Sequence, residues 1–89
     1  MSGNDLRIDE ALERLGLPCR STSKRMLQYV RETMQYIDIN TEFFAISDGE
    51  LLVAHMLEYR GFLTGLDDRT LRLTHCGKAF LEELEMIEL

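Results

Sequence analysis

One stretch, ISDGELLVAHMLEYRGFLTGLDDRTLRLT, constrains the fold of this chain most, because it carries both ends of a helix and the change to a hairpin. At its beginning, Ser47 and Glu50 have the three-residue spacing of a capping box, in which each side chain accepts the other residue's backbone N–H. Ile46 and Leu51 have the spacing of a hydrophobic staple across the same helix start. The sequence therefore predicts that a helix begins at about residue 48.

The end of this helix is marked equally clearly. Gly61 suits the left-handed backbone position that follows many helices. Phe62 can fold back on Leu57, as in a Schellman motif. These signals predict one helix over about 48–60.

The hydrophobic period changes after this helix. Leu71 and Leu73 alternate with polar residues, which predicts a half-buried strand. The segment 62–66 can pair with it across a polar turn at 67–69. Thr74 then suits the N-cap of a last helix. Its apolar residues at helical spacing are Phe80, Leu81, Leu84 and Ile87.

Helices are also predicted upstream of Ser47. Asp5 can cap a first helix that Gly16 ends, and a second helix runs over about 22–38. A short helix can follow, opened by Thr41. The predicted buried stripe of the first helix is Ile8, Leu12 and Leu15. That of the second helix is Met26, Leu27, Val30, Met34 and Ile37.

Composition narrows the class of protein. The 89 residues suit one small domain, and 45% hydrophobic with 29% charged residues is ordinary for a soluble globular chain. No apolar run reaches the length of a membrane span, and no signal peptide stands at the N-terminus. Cys19 and Cys76 do not make a disulfide framework. We therefore expect a cytoplasmic protein with reduced cysteines and no membrane partner.

The order of helix, turn, helix and hairpin resembles the winged helix-turn-helix family. The resemblance covers residues 22–86 and is clearest in LEYRGFL followed by LRLTHCGKAFL, which is similar to the family's L-x-x-x-G and LT-x-x-G-K patterns. It implies an α+β, mostly helical fold with a two-stranded β-hairpin wing and a C-terminal helix. The whole chain, 1–89, is then a single winged-helix domain in which residues 1–20 form an N-terminal helical extension.

The resemblance also implies a DNA-binding transcription regulator. The helix at 48–60 would be the recognition helix in the major groove, with the hairpin against the backbone. Contacts to phosphate supply most of the affinity in such complexes. The candidate DNA or anion contacts are Arg20, Lys24, Arg25, Arg60, Arg69 and Arg72. For the cluster of the first three, the alternative is a set of solvated charges beside ordinary helix caps.

Charge favours a different use of the same helix. The net charge is −6, and no Lys or Arg lies between Arg31 and Arg60. DNA-reading helices normally present Arg, Lys, Asn or Gln to base edges, whereas this helix has apolar residues all round. We therefore expect contact with a protein partner or with a second copy, with burial inside one domain as the alternative. The candidate interface residues are Leu51, Leu52, His55, Met56 and Tyr59.

No recognisable catalytic or cofactor motif is present. The sequence has no P-loop, no GxGxxG and no HExxH, so we expect neither an enzyme nor a cofactor or small-molecule substrate. His75 and Cys76 are adjacent and have no spacing typical of a zinc site, so no metal is expected. The last helix carries Glu82, Glu83, Glu85 and Glu88. These are expected either in a frayed, solvated end or in an acidic patch for a basic partner.

Overall fold

The computed structural model describes residues 3–18, 23–39, 47–67 and 70–89. Within these ranges the fold is mostly helical, with four helices and a two-stranded antiparallel hairpin between the third and the fourth. The elements are α1 (Gly3–Leu15), α2 (Ser23–Ile39), α3 (Asp48–Tyr59), β1 (Leu63–Thr64), β2 (Arg72–Leu73) and α4 (His75–Glu85). The short helix predicted after Thr41 lies outside the described residues.

The predicted caps of α3 are both confirmed. The Ser47 hydroxyl accepts the Glu50 N–H at 3.2 Å, and the Glu50 carboxylate accepts the Ser47 N–H at 3.2 Å. At the other end Gly61 has φ +82°, and the Phe62 N–H donates to the Leu57 carbonyl at 2.9 Å. This is the hydrogen bond of a Schellman motif, so local sequence determines both ends of α3. The Ile46 half of the predicted staple lies outside the described residues.

The hairpin is shorter than the segments predicted for it. Its register pairs Leu63 with Leu73 and Thr64 with Arg72. Leu63 and Leu73 are buried while Arg72 is exposed, which confirms the alternation expected of the second strand. The regular strand ends at Thr64 because the chain then turns at Gly65, which has φ +88°. The Leu66 N–H donates to the Glu58 carboxylate on α3 at 3.2 Å.

One hydrophobic core is built from all four helices and the hairpin. The residues of α1 in it are Ile8, Ala11, Leu12 and Leu15. Those of α2 are Leu27, Val30, Met34 and Ile37. At the end of the core beneath Arg14, the rings of Phe62 and Phe80 stack with their centroids 4.5 Å apart. The guanidinium of Arg14 covers the Phe80 ring at 4.8 Å, so α1 closes this end of the core.

Two details of the predicted helices were wrong. The first helix begins earlier than predicted, because α1 starts at Gly3 and Asp5 lies inside it. Met26 is 41% exposed, and the side chain of Thr33 is buried on α2 instead. The Thr33 hydroxyl donates to the Tyr29 carbonyl at 2.8 Å, which satisfies its polar group and makes burial tolerable.

Residues 86–89 pack on the fold and are not frayed, although the four glutamates within 82–88 are exposed as expected of a solvated end. Thr74 caps α4 as predicted, with its hydroxyl accepting the Gly77 N–H at 3.0 Å. Ile87 lies beyond the last turn of α4 and is nevertheless buried. The side chain of Gln28 donates to the Leu89 carbonyl at 2.6 Å, which holds the C-terminal residues against α2.

Candidate functional site

The outward side of α3 is the most unusual surface of the described fold. Residues four, seven and eleven positions apart lie on one side of a helix. The residues of α3 that share the outward side by this spacing are Asp48, Leu52, His55, Met56 and Tyr59, which we call the outer stripe. Val53, Ala54 and Leu57 lie on the opposite side and are buried in the core. Apolar side chains therefore lie on both sides of α3, and the core covers only one side.

Exposure differs along the outer stripe. Leu52 is 70% exposed and Tyr59 is 82% exposed, and His55 between them is exposed as well. Met56 is half-buried because it packs against the edge of the core. Leu51 is also half-buried and lies to one side of the stripe. Of the five interface candidates, the structure thus presents three fully to solvent and two in part.

The outer stripe has opposite charges at its two ends. Asp48 is exposed in the first turn of α3, and Arg60 is exposed at the C-cap. The Arg60 guanidinium lies 5.5 Å from the centre of the Tyr59 ring and also touches Gly16 at the end of α1. Arg60 is therefore held beside the apolar part of the stripe. No Lys or Arg lies within α3 itself.

The candidate DNA contacts are placed on separate elements. Lys24 and Arg25 are exposed in the first turn of α2. Arg72 is exposed on β2, on the side of the hairpin opposite the buried Leu73. Arg60 belongs to the end of α3, as described above. The two remaining candidates, Arg20 and Arg69, lie outside the described residues.

A surface cavity of about 310 Å³ lies between α1 and the end of α4. It is lined by Arg7, Glu10, Ala11, Arg14, Glu83, Met86 and Ile87. Arg14 and Glu83 form an ion pair across it, so one of the acidic side chains of α4 is engaged in holding α1. Glu85 likewise accepts from the Gln35 side chain at 3.1 Å. The acidic side chains of α4 thus have partly structural roles.

Two exposed apolar side chains were not anticipated. Ile39 at the end of α2 is 80% exposed, and Met86 after α4 is 67% exposed. Each stands one or two positions from a buried residue of the same segment, and residues so spaced on a helix do not face the same way. Neither belongs to a continuous stripe like that of α3, and single exposed hydrophobic residues are normal on protein surfaces.

Within the described parts of the chain, no three His, Cys, Asp or Glu side chains are grouped so that they could hold a metal ion. Across the described helices, none has both the length and the apolar character needed to cross a membrane. Cys76 is an exposed free thiol, while Cys19 lies outside the described residues.

Comparison of the chain with models of protein families, with curated proteins and with solved structures finds no match.

Proposed function

We propose that this chain is a non-enzymatic regulatory protein of the winged helix-turn-helix type that acts by protein–protein contact through the outer stripe of α3. The observation that carries the proposal is the exposure of Leu52 and Tyr59, at 70% and 82%, on a helix whose other side is buried. An apolar stripe of this kind on a well-packed helix is typical of a surface that binds another protein.

The order and packing of the elements support the winged-helix part of the proposal. In that arrangement α3 is the recognition helix, the β1–β2 hairpin is the wing and α4 is the C-terminal helix. The start of α4 is tied to the end of α3, because the Thr74 hydroxyl donates to the Gly61 carbonyl at 2.6 Å. The Thr74 N–H donates to the Phe62 carbonyl at 3.1 Å. The resembling sequence segments are therefore the ones that fix helix, hairpin and helix to each other.

Both ends of α3 are well fixed, which favours its use as a binding surface. The capping box at Ser47 and the Schellman motif at Gly61 hold the helix without help from a partner. A side chain presented on a rigid element loses less conformational entropy on binding than one on a mobile loop. Leu52 and Tyr59 are thus displayed at a defined separation, two helical turns apart.

Direct reading of DNA is the alternative function, and it has less support. A helix in the major groove would present Asp48, Leu52 and Tyr59 to the bases, and of these side chains only that of Asp48 is a usual partner of a base edge, as an acceptor from cytosine. The exposed basic residues Lys24, Arg25 and Arg72 are the observation in its favour, since they are available to phosphate. The net charge of −6 opposes approach to the polyanion.

The proposal is tested by photo-crosslinking in the cells from which the chain derives. Leu52 is replaced by a photoreactive phenylalanine analogue, and the matched control carries the same analogue in place of Met86. The two positions are similarly exposed, at 70% and 67%, but only Leu52 lies on the outer stripe. We expect a protein adduct of discrete mass from position 52 and none from position 86.

Absence of a protein adduct at position 52 beyond the level of the control would contradict the proposal. If the pure chain also bound random duplex DNA at low salt, with an affinity that falls steeply as salt is raised, the DNA-binding alternative would replace it.

A further inference from the structure

We propose that the outer stripe is occupied by a second copy of this chain, with the two α3 helices antiparallel about a two-fold axis near His55 and Met56. This inference rests on the proposed function, because it names the partner of the same surface. A two-fold contact is self-complementary, so each residue of the stripe must find a suitable counterpart on the other copy's stripe.

The charges at the ends of the stripe meet this requirement. Asp48 is exposed at the N-terminal end and Arg60 at the C-terminal end. Antiparallel pairing brings the carboxylate of one copy toward the guanidinium of the other at both ends of the contact. Parallel pairing would instead oppose Asp48 to Asp48 and Arg60 to Arg60, and like charges in an interface are unfavourable. Antiparallel helices also align their macrodipoles favourably.

The apolar residues of the stripe select the same orientation. With the axis midway between His55 and Met56, Leu52 of each copy lies opposite Tyr59 of the other, so the two most exposed apolar side chains cover each other. Arg60 then lies level, along the helix axis, with Leu51 of the second copy, three residues from that copy's Asp48. Three residues are about 4.5 Å along a helix axis, which an arginine side chain can span.

The size of the contact predicts a weak dimer. The stripe from Asp48 to Tyr59 is about 17 Å long, since an α-helix rises about 1.5 Å per residue. Stable dimers usually bury about 800 Å² per partner, more than one such helix face supplies. Each copy also has a net charge of −6, which opposes association at long range. The test is therefore made near physiological salt, where charges more than about 8 Å apart are screened.

The orientation is tested by disulfide trapping in a chain whose native cysteines are replaced by Cys19→Ser and Cys76→Ser. Two single-cysteine variants, Leu52→Cys and Tyr59→Cys, are mixed in equal amounts and oxidised, and the disulfide dimers are resolved by mass. We expect the mixed 52–59 disulfide to exceed the sum of the two symmetric ones by about fourfold or more, because only opposed Cβ atoms reach bonding distance. Met86→Cys is the control for random collision.

An excess of the symmetric 52–52 and 59–59 disulfides would show a parallel contact and overturn the antiparallel one. Trapping no faster than that of the Met86→Cys control would overturn the second copy as partner. The photo-crosslink at position 52 separates self-pairing of this chain from contact with a different protein. Adducts at twice the mass of the chain support self-pairing, while adducts of other masses alone leave protein contact standing without it. No protein adduct removes both.

Discussion

At the scale of single residues, Gly77 is the described glycine at which an added methyl group would lie closest to another atom, and that atom belongs to the backbone. The Phe62 carbonyl lies so near Gly77 that a methyl group on Gly77 would overlap it. The same carbonyl accepts the Thr74 N–H at 3.1 Å. The spacing of Thr74 and Gly77 therefore has a physical reason, because the threonine caps α4 and the glycine lets the chain after α3 pass close to its first turn.

We expect Gly77→Ala to destabilise the protein, although alanine is the better helix former. Propensity alone would raise the free energy of unfolding by about 1 kcal/mol. Overlap with the Phe62 carbonyl should instead lower it by about 1–3 kcal/mol, because backbone atoms cannot move aside cheaply. Urea unfolding followed by circular dichroism measures the difference.

Gly49→Ala is the matched control, since Gly49 is also in the first turn of a capped helix. The nearest atom to a methyl group there is the Tyr29 hydroxyl oxygen, at 2.9 Å, at the end of a side chain that can adjust. Its effect should stay within about 1 kcal/mol. If Gly77→Ala stabilised the protein as much as the same change at an ordinary helical glycine, the close approach of the Phe62 carbonyl to Gly77 would be refuted.

At the scale of elements, the caps decide where helices begin and end. Ser47 lies at the start of α3 and Gly61 follows its end, and Thr74 lies at the start of α4. Each makes hydrogen bonds to residues a few positions away along the chain. Thr74 has a second role, because its hydroxyl also donates to the Gly61 carbonyl at 2.6 Å. One side chain thus joins the end of α3 to the start of α4, across the hairpin between them.

Thr74→Ala should lower the free energy of unfolding by about 1–2 kcal/mol, the cost of losing an N-cap. Thr74→Ser keeps the hydroxyl and should restore most of the stability. The comparison is made by chemical denaturation of both variants and the wild type. Equal destabilisation by serine and alanine would mean that the threonine methyl group, and not the two hydrogen bonds, is the stabilising part.

The difference between local and distant contacts explains what the sequence could predict. The ends of α3 and the start of α4 were predicted correctly, because each depends on residues within a few positions of it. The exposure of individual side chains was harder to predict, since helical spacing does not tell which apolar face of a helix packs against the rest of the fold. The apolar character of α3 on all sides indicated a second face, yet only the packing of the fold shows that Leu52 is exposed while Met56 is half-buried.

Long-range contacts account for what was missed. The frayed tail was predicted from four glutamates near a helix end, but Ile87 is buried and Gln28 on α2 binds the Leu89 carbonyl. Gln28 and Leu89 are far apart along the chain, so no local sequence pattern indicates the contact between them.

At the scale of the whole molecule, the core formed by the described residues leaves the outer stripe of α3 uncovered. All four helices of the described residues contribute to that core, and α1 covers the stacked rings of Phe62 and Phe80 through Arg14. The outer stripe of α3 stays outside it, with Asp48 and Arg60 at opposite ends. Association through this stripe would cover Leu52 and Tyr59 without any change in the fold.

Sedimentation equilibrium tests this association most directly, over concentrations from about 10 µM to 1 mM, a range chosen for a weak interface. We expect the wild-type chain to shift from monomer toward dimer as concentration rises, and Leu52→Glu to remain monomeric because it buries a charge in the contact. Met86→Glu, changed at a similarly exposed residue, should behave like the wild type. If the wild-type and Leu52→Glu chains had the same average mass at every concentration, this result would contradict self-association through the outer stripe of α3.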